Sequence, residues 1–274
     1  MKTPTTSSGP KRVTTRTIAE MKKRGERIAC LTAYDFLTAR ILDEAGVDLL
    51  LVGDSLAMVF QGHETTIPVT LDEMLYHAKT VVRGVERAMV IVDMPFMSYQ
   101  ANDEEGFRNA GRVMKETGAG GVKFEGGERI AELVRKTVLA GIPVMGHLGL
   151  TPQSIHLFGS YQPRGVTTKE ASRIVKDAKV LQEAGAFAIV LEKIPAGLGS
   201  RVTRAIGIPT ISIGAGVHCD GQILVTPDVL GLYEDFKPRF VRKYAHLADE
   251  IRTSIGKYVK EVKERKFPSE EESY

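Results

Sequence analysis

The sequence predicts an α/β chain folded as a single-domain (β/α)8 barrel, and two observations carry that expectation. One phrase, the end of a helix followed by glycine and then a strand, recurs as DEAGVDLLLV, VRGVERAMVIV, KETGAGGVKF, VLAGIPVMG, QEAGAFAIVL and RAIGIPTISI. The strands in it, such as 49–52, 89–92 and 188–191, are near-continuous apolar runs rather than alternating ones. Continuous runs mean burial on both faces, as in a parallel sheet covered by helices.

The elements follow in order. A strand candidate at 28–33 precedes the six repeated units and another at 222–226 follows them, which makes eight. Between them lie stretches of helical period at 71–85, 105–117, 130–139 and 169–184. The glycine in each phrase closes a helix in the left-handed conformation at low steric cost. Eight units in about 250 residues match a closed barrel. An open doubly wound sheet would carry a glycine-rich phosphate loop after its first strand, where this chain reads LTAYDF. The expected layout is a disordered polar arm at 1–16, the barrel with N- and C-terminal helices at 17–264, and a polar tail at 265–274. The last helix, at 244–263, is expected to lie outside the barrel or against a neighbouring subunit.

A net charge of +3, with acids and bases interleaved, excludes a nucleic-acid surface. No apolar stretch approaches the roughly 20 residues that cross a bilayer. Cys30 and Cys219 sit in apolar contexts without further sulfur or histidine partners, and both read as buried small residues in a reducing compartment.

The chemistry lies in what ends each strand: LLLVGD in Asp54, MVIVD in Asp93, GVKFE in Glu125, VMGH in His147 and AIVLE in Glu192. In such barrels the carboxyl ends of the strands form the active-site mouth. Capping or turn formation accounts for an Asp at one or two such positions, and His147 alone reads as a structural histidine. Four acids and a histidine on five strands read as a site, because clustered carboxylates need a cation or hydrogen bonds to offset their repulsion. Asp54, Asp93 and Glu125 offer oxygen donors only, which suits Mg2+, or Mn2+ in its place. Lys123 shares a strand face with Glu125. Three readings stand for it: an internal salt bridge, a cation for a substrate carboxylate or oxo group, and a Schiff-base amine. Glu192, across the barrel from the metal cluster, suits a general base; the bland alternative is a hydrogen bond to a loop or to Lys193.

The phrases around these residues resemble the ketopantoate hydroxymethyltransferase family. They are LTAYD (31–35), VGDSLAMVFQGHETTIPVTLDEMLYHAKTVVRG (52–84), DMPFMSYQ (93–100), VKFEGG (122–127), GHLGLTPQS (146–154), LEKIP (191–195), GIPTISIGAGVHCDGQILV (207–225) and FKPRFVRKYA (236–245). The resemblance implies a barrel of the phosphoenolpyruvate/pyruvate type with one Mg2+ per subunit at Asp54, Asp93 and Glu125. It implies a 2-oxo acid touching Asp54, Ser55, Asp93 and Lys123, and Glu192 as proton acceptor, with His147 behind these residues. The implied reaction moves a hydroxymethyl group from 5,10-methylenetetrahydrofolate to 3-methyl-2-oxobutanoate through an enolate, in the pathway to pantothenate and coenzyme A. Family members are cytoplasmic and often homodecameric, as pentamers of dimers. Ala57 stands where members commonly have Gly, and Lys193 where they often have Cys; neither touches the expected chemistry.

Three other readings compete. A Mg-dependent lyase or mutase of the same superfamily would share the enolate core and differ only in its pocket. A Schiff-base aldolase would use Lys123. A barrel kept for binding or assembly would have no need of five polar strand ends.

Overall fold

The computed structural model describes residues 11–234 and 238–274, and divides into two compact units, Met1–Leu224 and Val225–Tyr274. The eight strands of the barrel expected within 17–264 all lie in the first unit, which ends with the last strand. The chain beyond Leu224 ties back on itself, with Tyr244 N–H donating to Val229 and Leu247 N–H to Leu230.

In the first unit the strands are β1 Ile28–Thr32, β2 Leu49–Val52, β3 Met89–Asp93, β4 Gly121–Glu125, β5 Val144–Gly149, β6 Ala188–Glu192, β7 Thr210–Ile213 and β8 Gly221–Leu224. They pair in parallel in sequence order, and β8 returns to β1 to close the barrel. The helices are α1 Thr15–Arg24, α2 Phe36–Glu44, α3 Leu56–Val59, α4 Leu71–Arg83, α5 Asp103–Thr117, α6 Ala131–Leu139, α7 Ile155–Phe158, α8 Thr168–Glu183 and α9 Ala196–Ala205. The second unit holds α10 Thr226–Val229 and α11 Leu247–Lys263. The expected eighth strand stops at Leu224 because Thr226 and Pro227 open α10. Proline suits a first helical turn, where its missing N–H costs nothing.

Two apolar layers follow from the strand period of two. Outward residues such as Val52, Val92, Phe124, Leu148 and Leu191 are buried beneath the helices. Inward residues such as Cys30, Leu51, Ile91, Met145, Val190 and Ile223 fill the lumen. The same alternation, carried to the strand ends, turns Asp93, Lys123, Glu125, His147 and Glu192 inward. Both cysteines are free and buried.

The N-terminal expectation needs correction at its boundary. Residues 1–10 lie outside the described residues, but the arm does not reach residue 16. Thr14 and Thr17 form a reciprocal capping box that starts α1 at Thr15. This helix buries Ile18 and Met21 in the lumen layer with Ile28 and Cys30. Lys22 Nζ fixes it to Asp220 at 2.9 Å, just ahead of β8. A basic, polar segment thereby seals the end of the barrel opposite the strand termini that carry the acids.

In the second unit α11 begins at Leu247 rather than 244 and has no buried residue. Ile251, Ile255, Tyr258, Val259 and Val262 recur at helical spacing, each 40–55% exposed. Among the described residues no helix is long and apolar enough to cross a membrane.

Candidate active site

Parallel register sets the site's neighbours. Asp93 pairs with Lys123 across β3 and β4, and Glu125 with His147 across β4 and β5. Gly149 pairs with Glu192 across β5 and β6. Gly149 has a φ of +96°, and a Cβ there would come within 2.2 Å of the Glu192 carbonyl oxygen, so only glycine fits beside Glu192. Gly53 is a second such point: a Cβ would meet Ser55 Oγ at 2.8 Å and approach Asp93 Oδ2.

Asp54, Asp93, Lys123, Glu125, His147 and Glu192 form one continuous network. The Asp54 N–H donates to Asp93 Oδ2 at 3.1 Å. Lys123 Nζ lies 2.6 Å from Asp93 Oδ1. His147 Nδ1 lies 3.1 Å from Glu125 Oε1, and its Nε2 lies 3.3 Å from Glu192 Oε2. Ser55 lies beside these residues, its Oγ 2.9 Å from the Tyr34 hydroxyl. Asp54 does not cap a helix; α3, which follows it, has no side-chain cap at all. Lys123 realises the salt-bridge reading, with Asp93 as its partner. Glu192 meets His147 rather than Lys193.

Burial and mutual repulsion govern the charges. Burial raises the Asp54 carboxyl well above the usual range, and the Asp93 and Glu125 carboxylates add to the rise. Burial also raises Asp93, against the pull of Lys123. Glu125 is burdened by burial too, yet the His147 charge and hydrogen bond bring it below its ordinary value. Despite its own burial and the neighbouring ammonium, His147 is pushed up to about 9 by Glu125 and Glu192. A protonated ring donates from Nδ1 to Glu125. The 3.2 Å approach of Lys123 Nζ to the same nitrogen is therefore a contact between two donors, held in place by the surrounding acids. The Lys123 ammonium itself is held firmly protonated by Asp93, Glu125 and Asp54 in spite of burial. Glu192 is the most open of the group, its side chain 17% exposed against 2% for Glu125 and 4% for Asp93 and Lys123.

Two residues that the strand-end pattern does not reveal complete the network. Gln153, just after β5, is 5% exposed. Its side-chain amide donates to Asp54 Oδ2 and to the Met94 carbonyl, both at 2.9 Å, and its backbone N–H donates to Glu125 Oε2 at 3.1 Å. Its Oε1 accepts from Tyr99 and Gln100, both at 2.8 Å. Reversing the amide would set Oε1 against the Met94 carbonyl, so this orientation is the satisfiable one. Tyr99 in turn accepts from the Glu125 N–H at 3.0 Å. Gln153 lies within the GHLGLTPQS phrase, but an uncharged polar residue after a strand carries no chemical signal by type.

The donor set fits a hard divalent cation. Four carboxylates face two protein cations, and Asp93 Oδ1, though close to Lys123, is buried without an aligned hydrogen-bond donor. Hard oxygen donors of this kind suit Mg2+ or Mn2+. Among the described residues no three acids, histidines or cysteines already stand as a ligand cluster; Lys123 and His147 are the cations that answer the acids here.

Comparison with known proteins gives a consistent picture. A family model for ketopantoate hydroxymethyltransferase matches residues 12–270. The chain is 59% identical over 266 residues to the 3-methyl-2-oxobutanoate hydroxymethyltransferase of Chlorobaculum tepidum, covering 96% of each chain. It is 59% identical over 263 residues to that of Salinibacter ruber, covering 96% of this chain and 99% of the relative. Among solved structures it resembles 2,3-dimethylmalate lyase, a PEP mutase/isocitrate lyase superfamily member, with a TM-score of 0.60 at 15% identity, covering 95% of this chain and 90% of the other. It also resembles phosphonopyruvate hydrolase in complex with oxalate and Mg2+, with a TM-score of 0.61 at 11% identity, covering 94% and 92%. At such identity these two likenesses speak for the fold alone.

Proposed function

The chain belongs to the ketopantoate hydroxymethyltransferase family, and we propose that it transfers a hydroxymethyl group from 5,10-methylenetetrahydrofolate to 3-methyl-2-oxobutanoate, forming 2-dehydropantoate and tetrahydrofolate by way of the substrate enolate. The single observation that carries the mechanism is the Glu192 carboxylate, more open than Asp93 and Glu125, joined through His147 to a buried cluster of three acids and an ammonium. A reading as a lyase or mutase has only the shared barrel in its favour.

In this reading Asp54, Asp93 and Glu125 hold one Mg2+, which would supply positive charge beside the keto and carboxylate oxygens of the substrate. Lys123, protonated and 2.6 Å from Asp93, directs its ammonium to the substrate's oxygens and orients the molecule with Ser55, Asp54 and Asp93. Glu192 takes the proton from C3. His147 braces Glu192 on one side and Glu125 on the other, and Gln153 and Tyr99 hold Asp54 and Glu125 in place. The lumen beneath is filled with buried apolar side chains, which strengthens each of these interactions relative to water.

The proposal extends to the pantothenate and coenzyme A pathway, a cytoplasmic setting and a homodecameric assembly. Family membership supports all three. The exposed apolar stripe on α11 supports self-association.

The test is exchange of the C3 deuteron of 3-methyl-2-oxobutanoate into water, with Mg2+ and without folate. The wild type is expected to exchange, and Glu192→Gln to lose exchange by about 10²–10⁴-fold, the usual contribution of a general base. Exchange at the wild-type rate in Glu192→Gln would reject the assigned base.

A further inference from the structure

A cavity of about 480 Å³ lies at the end of the barrel that carries the acids, within the size range of sites that take small organic molecules. Its inner wall is backbone adjoining the candidate site: Gly126, which directly follows Glu125, and Gly149, which pairs with Glu192 across β5 and β6. Arg129 lies along this wall, since a Cβ on Gly126 would meet its Nε at 2.9 Å. The other wall is the chain from α7 into α8. The Arg164 N–H holds it to the Lys193 carbonyl at 2.9 Å, one residue past the proposed base. Asp54, Ser55, Asp93, Lys123 and Glu192 are not among the lining residues. The cavity therefore flanks the place of the 2-oxo acid and is separate from it.

The charges on its walls do not cancel. Three acids line it, and each is already engaged. Glu170 lies 2.5 Å from Arg164, and Glu128 lies 2.8 Å from Lys176. Asp177 accepts the Glu128 N–H at 3.0 Å and lies 3.7 Å from Arg173. Arg129 and Lys169 also line the cavity and have no ion pair among the described residues. Beside these two cations the lining is apolar, at Leu157, Phe158 and Ile174. Leu157 is 80% exposed, and the Arg164 guanidinium stacks on the Phe158 ring at 4.2 Å. Unpaired cations next to an exposed apolar wall and an aromatic face suit a molecule with a flat ring and an anionic end.

The co-substrate of the reaction proposed above has such an end, and the inference rests on that reaction. In 5,10-methylenetetrahydrofolate the pterin that carries the one-carbon unit is followed by a benzoyl ring and then by a glutamate with two carboxylates. We propose that this cavity holds the p-aminobenzoyl-glutamate end of the folate, with Arg129 and Lys169 receiving the glutamate carboxylates and Leu157, Phe158 and Ile174 covering the ring. A tail anchored beside the ends of β4 and β5 leaves the pterin to reach over the strand ends, where the enolate forms. No bond is made or broken in the cavity. It contributes binding from a part of the folate remote from the reacting carbon, and such binding shows in affinity and KM.

The experiment compares two probes by calorimetric titration of the Mg2+-loaded protein: tetrahydrofolate, and tetrahydropteroate, which lacks the glutamate. The proteins are wild type, Arg129→Met and Lys169→Glu. Both substituted positions are exposed, and thermal melting verifies the fold. Wild type is expected to bind tetrahydrofolate about 10-fold or more tightly than tetrahydropteroate, the scale of a hydrogen bond between charged groups. Each variant should lose most of that preference while holding tetrahydropteroate within about twofold of wild type. The wild-type preference should also shrink as salt is raised. Equal binding of the two probes by wild type would overturn the assignment. So would a preference that survives in both variants, or binding of neither probe. The reaction is tested apart from the site: a wild type that forms no product from 5,10-methylenetetrahydrofolate, yet shows the preference and its loss in the variants, would remove the proposed transfer and leave the folate-tail site standing.

Discussion

His147 Nε2 lies 3.3 Å from Glu192 Oε2 while its Nδ1 lies 3.1 Å from Glu125 Oε1, so one imidazole joins the proposed base to a proposed metal ligand. Groups that orient functional side chains from behind typically matter 10–100-fold. His147→Gln is expected to slow C3 exchange by about that factor and to weaken Mg2+ binding as well, since both acids lose their brace. Exchange kinetics and calorimetric Mg2+ titration check the pair. A variant that binds Mg2+ and exchanges as wild type does would reduce His147 to a filler of the lumen.

Gln153 makes the sharper claim about the metal site, because it reaches two carboxylates from one short segment. Gln153→Leu preserves the volume and removes the side-chain bond to Asp54, leaving the backbone bond to Glu125. Mg2+ affinity measured by calorimetry should weaken about 10-fold or more, with the melting temperature falling further below wild type in excess Mg2+ than in its absence, because the weaker binder gains less stability from the ion. Equal affinity in the two proteins would show that Asp54 is held in place without it.

The contrast between Glu125 and Gln153 marks how far the sequence reaches. An acid ending an apolar strand conflicts with its surroundings, and that conflict is visible in the letters; hence the whole acid cluster, Lys123 and the barrel itself were legible from strand ends and recurring glycines. Gln153 and Tyr99 are uncharged polar residues in connections, where most such residues face water. Their burial depends on where β5 and the segments after β3 and β5 arrive in space, which no local pattern records. The N-terminal helix was expected from residue 17 and starts at Thr15, because the Thr14–Thr17 capping box sets its first turn and a run of Thr and Arg carries no apolar signal of that start.

Lys123 discriminates between enolate and imine chemistry. A Schiff-base lysine needs a lowered pKa so that its free amine can attack. Here the surrounding acids do the opposite and keep the ammonium charged. Borohydride treatment in the presence of 3-methyl-2-oxobutanoate is expected to leave no adduct, read by intact-protein mass spectrometry. Lys123→Met should raise KM for the oxo acid by about 10–100-fold, the range for losing a hydrogen bond from a charged donor. A trapped adduct at Lys123 would replace the metal-enolate reading with an aldolase of the imine type.

A final prediction concerns Asp228 in α10. Only 6% of its surface is exposed, and its Oδ1 has no hydrogen-bond partner. Burial raises its carboxyl to about 6, partly relieved by Lys243. A folded-state value above the unfolded one near 3.8 means that the neutral acid is preferred in the folded chain. Its relative contribution is therefore fully present below about pH 4 and is lost as pH rises through about 6. Above that, folding must keep a charged carboxylate out of water. Asp228→Asn, which cannot ionise, is expected to melt a few °C above wild type at pH 7.5, a gain of about 1 kcal/mol or more. The difference should shrink toward zero at pH 4. Paired melting curves at the two pH values check the sign. A stabilisation independent of pH would mean that the amide gains a hydrogen bond rather than escaping a buried charge, and a destabilisation at pH 7.5 would mean that the carboxylate is satisfied after all.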